Sequence, residues 1–230
     1  MSFTLRSAML GAALLSTQAV ATEFSFVSGN PVPETFGNSY SQTLDGLTTT
    51  ATAWSTTGQG GRYETAELEI YSGSGMGVCS RTEGVNCSSI GNMHALDNSG
   101  SEDLILFSFS KSVQLSNLTL LQFVGSNSDL SLWAGTGSQN LTNLKSSDLG
   151  RATLAVNSSQ ISDIKTVDLS GLAGKYDWLA VSARLSKTND FAMLRTLNAQ
   201  SAPTPVPEAD NWAMLLAGLG LVGFAVRRRA

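Results

Sequence analysis

Between residues 22 and 200 the apolar side chains come in short runs, often at a spacing of two, and most runs stop at Gly, Asn or Ser. A spacing of two puts alternate side chains on one face of an extended strand, whereas a helix needs apolar residues three and four apart. The strongest run is Leu104, Ile105, Leu106, Phe107 and Phe109. The stretch 113–124 alternates with polar residues and reads as one long strand or two. A Thr-rich, β-branched stretch at 47–55 ends near Trp54. Ala66, Leu68 and Ile70 alternate with Glu67, Glu69 and Tyr71, the pattern of a half-buried strand with a wet face. Further strands are expected around Leu130, Leu132 and Trp133 and at 151–156, 166–169, 178–185 and 191–197. Turn signals fall at Gly73-Ser74-Gly75, Asn98-Ser99-Gly100, Gly125-Ser126-Asn127 and Gly135-Thr136-Gly137, and 141–149 has room for one helical turn. Many short strands joined by Gly-rich turns predict an all-β ectodomain over 22–200, a two-sheet, jelly-roll-like β-sandwich.

The two ends follow different rules. Arg6 gives a positive start, 8–15 is a short apolar core, and Ala19-Val20-Ala21 fits the small-residue cleavage pattern. Residues 1–21 therefore read as a secretory signal helix, with the mature chain starting at Thr22. At the other end, Pro203, Pro205 and Pro207 fall at every second residue of a linker and motif over 201–211, a composition that stays extended. An apolar run at 212–226 follows, opened by Trp212 and closed by Arg227, Arg228 and Arg229 in the tail 227–230. Interfacial Trp, an apolar core and a basic end predict a transmembrane helix whose arginines stay in the cytoplasm and whose ectodomain lies outside. Its fifteen or so residues fall short of the roughly twenty of a comfortable span. Gly218, Gly220 and Gly223 add a stripe suited to close helix contact. The chain is acidic, with 14 Lys and Arg against 18 Asp and Glu, and three of the 14 crowd at this end. Such a charge distribution argues against a nucleic-acid binder.

Val206-Pro207-Glu208, a hydrophobic helix with central glycines and a terminal Arg triplet resemble the PEP-CTERM sorting signal. The family's motif reads Pro-Glu-Pro; here Ala209 stands in place of the second Pro. The resemblance covers about the last twenty-five residues. It implies recognition and cleavage by an exosortase, a membrane-embedded cysteine protease, in a Gram-negative bacterium that makes exopolysaccharide. It also implies a protein held at the cell surface or released from it. Two further segments resemble exosortase-dependent surface proteins: His94-Ala95-Leu96-Asp97-Asn98 leading into an acidic residue and an apolar strand, and Asn189-Asp190-Phe191-Ala192-Met193-Leu194.

The residue chemistry of the middle admits several readings. Cys79 and Cys87 are the two cysteines, and in an exported chain a pair this close forms a small-loop disulfide. Their spacing is not that of a C-x-x-C redox motif. Asp97, Asn98, Glu102 and Asp103 offer hard oxygen ligands of the kind Ca²⁺ takes, though not at EF-hand spacing. A solvated turn in which Asp and Asn cap backbone amides is the simpler account, and a bound calcium would be structural. His94 is the sole histidine. A secreted hydrolase would have to use it, but no G-x-S-x-G elbow surrounds a serine. Trp54, Trp133 and Trp178 would serve a carbohydrate-binding module if exposed and the core if buried. The expectation is a non-catalytic surface or matrix protein without a cofactor, with exopolysaccharide or neighbouring surface proteins as partners.

Overall fold

The alternating stretches become strands. In chain order they are β1 (Ala21–Ser25), β2 (Glu34–Thr35), β3 (Ser39–Leu44), β4 (Leu47–Thr56), β5 (Tyr63–Thr65), β6 (Glu67–Tyr71) and β7 (Gly75–Cys79). They continue with β8 (Leu96–Asp97), β9 (Asp103–Gln122), β10 (Leu130–Gly135), β11 (Leu154–Val156), β12 (Ile164–Asp168), β13 (Tyr176–Ala183) and β14 (Phe191–Ser201). One helix, α1 (Glu208–Arg227), follows. The computed structural model describes residues 21–27, 34–35, 37–81, 94–123, 127–157, 163–185, 190–201 and 208–228. The strands belong to a compact unit, Val20–Ala202, and α1 belongs to a second.

β9 organises the sheet. The apolar run at Leu104 and the alternating stretch after Val113 fuse into one strand of 20 residues. Ser110, Lys111 and Ser112 between them are exposed, but none is Gly or Pro, so nothing interrupts the extended backbone. The first half of β9 pairs with β4 on one side and β13 on the other. The second half pairs with β14 and β12. All these pairs are antiparallel.

Two irregularities set which side chains point inward. Asn117 pairs with Asn198 but Leu115 with Ala199, which leaves Ser116 as an extra residue on β9. Across it the buried positions change from Val113 and Leu115 to Leu118 and Leu120. On β14, Arg195 is extra between the pairs Leu194–Leu120 and Thr196–Thr119. The buried set there shifts from Ala192 and Leu194 to Leu197 and Ala199. An inserted residue reverses the two-residue alternation, so each bulge moves the apolar face to match its partner.

The main core gathers Phe24 and Phe26, Ile105 and Phe107, Leu118 and Leu120, Leu179 and Leu197 into one buried cluster. Phe26 stacks on Phe107 with ring centroids 5.3 Å apart. Phe26 follows a strand paired to β14, whereas Phe107 sits in the other half of β9, so the sheet turns back over its own inner face. The first half of β9 is buried on both faces, because Leu104 and Leu106 join a second cluster with Trp54, Tyr63, Trp133, Leu141 and Ala180. The segment holding Leu141 and a 3-10 turn at Ser146–Leu149 covers that cluster.

The all-β reading holds, and three finer expectations are corrected. The strands form a single 14-stranded hydrogen-bonded sheet rather than two separate sheets, because β9 continues through both halves. The outer face of β6 is wet only at Glu67: Glu69 is 0% and Tyr71 7% exposed, and the Tyr71 hydroxyl donates to the Glu69 carboxylate. The transmembrane helix expected over 212–226 is also not found, since no helix among the described residues is long and apolar enough to cross a membrane. α1 spans 20 residues, but polar Glu208, Asp210 and Asn211 open it, Arg227 closes it and its glycines dilute the apolar run.

Phe107 is fully buried, and truncating such a side chain costs transfer energy plus a cavity. Phe107→Ala is expected to destabilise the chain by about 3–5 kcal/mol, read as a lowered urea midpoint. An unchanged midpoint would overturn the placement of Phe107 in the core.

Candidate functional site

The polar segment 94–103 lies where β9, β10 and β14 begin. Three aspartates stand at or one residue before strand starts: Asp103 opens β9, Asp129 precedes Leu130 and Asp190 precedes Phe191. All are buried, at 1%, 4% and 0% exposure. Asn98, itself 1% exposed, joins them. Its amide nitrogen donates to the Asp190 carboxylate at 3.1 Å and to the Arg184 carbonyl at 2.8 Å. Its side-chain oxygen accepts from the Asp190 amide at 3.0 Å. The Asp190 carboxylate also accepts from the Asp129 amide at 3.3 Å, and Arg184 pairs with the Asp129 carboxylate at 2.9 Å. The two segments singled out by resemblance, one around Asn98 and one around Asp190, are therefore bonded to each other. Burial raises the Asp190 carboxyl above its ordinary value; the bonds from Asn98 and the Asp129 amide oppose this, and the nearby Asp129 charge adds to it.

The calcium candidates are engaged by the chain. Asp97 accepts from the Ser99 amide at 2.8 Å, Asp103 from the Asp97 amide at 3.4 Å, and Glu102 from the Ser146 hydroxyl. Among the described residues no group of three or more His, Cys, Asp and Glu is placed to hold a metal ion. His94 is 4% exposed and its amide donates to the Tyr71 hydroxyl at 3.0 Å. A side chain on Gly77 would begin 1.8 Å from the His94 carbonyl oxygen, so the glycine lets this segment press against β7. Of two surface cavities, about 430 and 360 Å³, the larger is lined by none of these candidates and the smaller reaches Glu102 together with Lys145 and Ser146. Nearby Tyr63 is held protonated, first by burial and then by the Glu102 charge. Cys79 is buried at the end of β7, while Cys87 lies outside the described residues.

Of the three tryptophans, Trp54 and Trp133 are core residues at 9% and 4% exposure. Trp178 is half-buried. Sequence reasoning missed Asp129, Arg184 and Asp190 as a group. The available signal was an Asp repeated at the start of apolar strands, which ladder pairing alone does not require.

The tail carries a different geometry. Glu208 is the first residue of α1, so it and Asp210 fall where the helix dipole favours negative charge. Arg227 lies in the last turn, and the Arg228 guanidinium sits 5.3 Å from the Phe224 ring centroid. Met214, Leu215, Leu216, Leu219, Leu221, Val222, Phe224 and Val226 are exposed by 53–79%. A helix that exposes so much apolar surface calls for an apolar partner. Gly218 and Gly220 have nothing within 4 Å of where a side chain would start. Trp212 and Gly223 lie within the helix; Val206, Pro207 and Arg229 lie outside the described residues, as do residues 1–20 of the signal segment expected over 1–21. At the domain's ends, Ala21 pairs with Gln200, so the first and last strands of the domain are zipped together.

The Asn98 lock generates two tests. Asn98→Ala removes three hydrogen bonds, one of them to a carboxylate, and is expected to cost about 2–3 kcal/mol by urea denaturation. The raised Asp190 pKa means that the folded state keeps this proton to higher pH than the unfolded state does. Its stabilising contribution is full in acid and is lost as pH rises from about 3.8 through the raised value. The stability of the native chain minus that of Asp190→Asn is therefore expected to fall as pH rises above about 3.8. A difference that is flat or rising in a series of urea midpoints would refute this assignment.

Comparison with known proteins points to the tail. Residues 203–229 match the PEP-CTERM protein-sorting motif. No curated protein matches the chain. The matched span takes in the proline-rich linker, Glu208, the whole of α1 and the closing arginines. Such a motif implies processing by an exosortase and export toward the membrane and surface. The chain thus carries a PEP-CTERM protein-sorting motif at 203–229, C-terminal to an all-β domain.

Proposed function

We infer that the chain is a non-catalytic surface or matrix protein, exported by its N-terminal signal and cut by an exosortase near Glu208. Its β domain is then placed among exopolysaccharide as part of a biofilm or floc. The observation that carries this reading is the motif match over 203–229. The geometry of the ends supports it. Cutting after Ala21 leaves four of the five residues of β1, and cutting near Glu208 leaves β14 whole, so both cuts spare the ladder between them. The non-catalytic part of the reading rests on how the polar residues are used. Asn98, Asp103 and Asp190 hold strands together, and buried His94 gives the hydrolase alternative no support. A second reading, a carbohydrate-binding module, is favoured by the half-buried Trp178. Cys79 and Cys87 close a disulfide in this reading, stabilising the loop by about 2–3 kcal/mol in the chain-entropy model.

Intact-mass measurement of protein recovered from the native host's surface or medium is the direct test. The expected mass lacks residues 1–21 and everything beyond about Glu208. A mature chain still carrying 212–229 would remove exosortase cleavage from the account. In the same sample, thiol-reactive label is expected to attach only after reduction; labelling of the unreduced protein would rule out the Cys79–Cys87 bond.

A further inference from the structure

We propose that the outer face of β3, β4, β9 and β13 is a binding surface for a neutral polysaccharide, with Trp178 as its stacking platform. This rests on the reading that the domain is displayed outside the cell. Strand register places Ser41, Thr50, Ser108 and Trp178 in a single row across the four strands. Neighbouring strands lie about 4.8 Å apart, so the row runs for roughly 14 Å. A second row holds Thr43 and Thr48, and the Ser110 hydroxyl accepts from the Thr48 amide at 2.9 Å. Ser41, Thr43, Ser108 and Ser110 are exposed, and Thr48, Thr50 and Trp178 are half-buried. None of these positions carries a charge.

Trp178 is held in place. A side chain on Gly135, its partner on β10, would begin 2.3 Å from the indole Cζ2, so the ring occupies the space that only glycine leaves. The adjacent Asp177 fixes the strand ends around it, accepting from the Gly137 amide at 2.6 Å and the Ser112 hydroxyl at 2.5 Å. The ring's inner edge packs on the Trp133–Leu106 cluster, which leaves it oriented before any ligand arrives.

This arrangement matches a pyranose chain. An indole takes the apolar C–H face of a sugar ring, and Ser and Thr hydroxyls each donate once and accept twice, as sugar hydroxyls do. Ser41 bonds to Thr50 and Thr43 to Thr48, both at 2.8 Å, which orders the hydroxyls while leaving lone pairs for a ligand. With no Lys or Arg at any of these row positions, a uronate or sulfate chain lying along them finds no charge partner there, so the ligand is an uncharged glycan.

The test is native affinity electrophoresis of the purified full chain in mild non-ionic detergent. Gels contain hydroxyethylcellulose or dextran as neutral probes, or alginate as an anionic one. With net charge −4 the chain migrates toward the anode. It is expected to be retarded by a neutral probe and not by alginate. Trp178→Ala is expected to weaken the retardation about tenfold. Ser108→Lys, which disturbs the row but leaves the indole, also weakens it, and Ser116→Lys, exposed on the other half of β9, does not. Circular dichroism and a urea midpoint establish that each variant is folded. No retardation of the native chain by either neutral probe, retardation by alginate alone, or equal retardation of native chain and folded Trp178→Ala each overturns the proposal. Tail processing does not enter this assay, so failure here leaves the sorting reading standing, and failure of the mass measurement leaves this one standing.

Discussion

The structure depends on one strand being shared by both halves of the sheet. β9 offers hydrogen bonds on both edges along 20 residues and uses them with four partners, β4 and β13 early, β14 and β12 late. Sharing fixes the register of each half relative to the other. A one-residue slip would carry Phe107 out of the core in one half and Leu120 in the other. The bulges at Ser116 and Arg195 are part of the same constraint, because each reverses the alternation on one strand while its neighbour keeps its own, so that buried residues stay paired with buried residues.

The Asn98 lock answers a second problem created by this topology. β14 begins far along the chain from β9, yet it must meet β9 in register. Asn98 bonds both the amide and the carboxylate of Asp190, tying the residue just before β14 to the segment just before β9. Pairing of Ala21 with Gln200 then closes the other end of β14 with the first strand of the domain. The domain is consequently fastened at both ends of its last strand, a useful property in a protein read as being cut close to each terminus.

Legibility in the sequence followed how local each signal is. Leu104 through Phe109, Leu130 through Trp133 and the Thr-rich β4 announce themselves because side-chain alternation needs no tertiary partner. The tail is equally legible, since its residues are contiguous and act without the rest of the fold. β7 was hidden because its glycines at 75 and 77 look like turn residues, when they are there for close approach to Leu194 and His94. β3 was hidden because an edge strand facing water through Ser and Thr has no apolar alternation to detect. The wet face assigned to β6 held at Glu67 but not beyond it, because Glu69 and Tyr71 satisfy each other and stay buried. Of the site, Trp178 was visible as a candidate, but its separation from Trp54 and Trp133 depends on which positions the 3-10 segment covers. The union into one sheet depends on pairings between residues far apart, which no window reveals.

The same distinction changes what the chain's acidity means. A sequence pI of about 4.9 reads as an anionic surface that would attract cations or repel anionic polymers. Yet Glu69, Asp97, Glu102, Asp103, Asp129 and Asp190 are each no more than 6% exposed. These are at least six of the 18 acidic residues, and they hold backbone amides and side chains rather than facing solvent. What β3, β4 and the middle of β9 present to water is mostly hydroxyl. Contacts of such a surface are short-ranged, built from hydrogen bonds and stacking, and little affected by salt screening. At least a third of the chain's acidic residues are therefore used inside the fold, and the hydroxyl face of β3, β4 and the middle of β9 is suited to a hydrated, uncharged polymer.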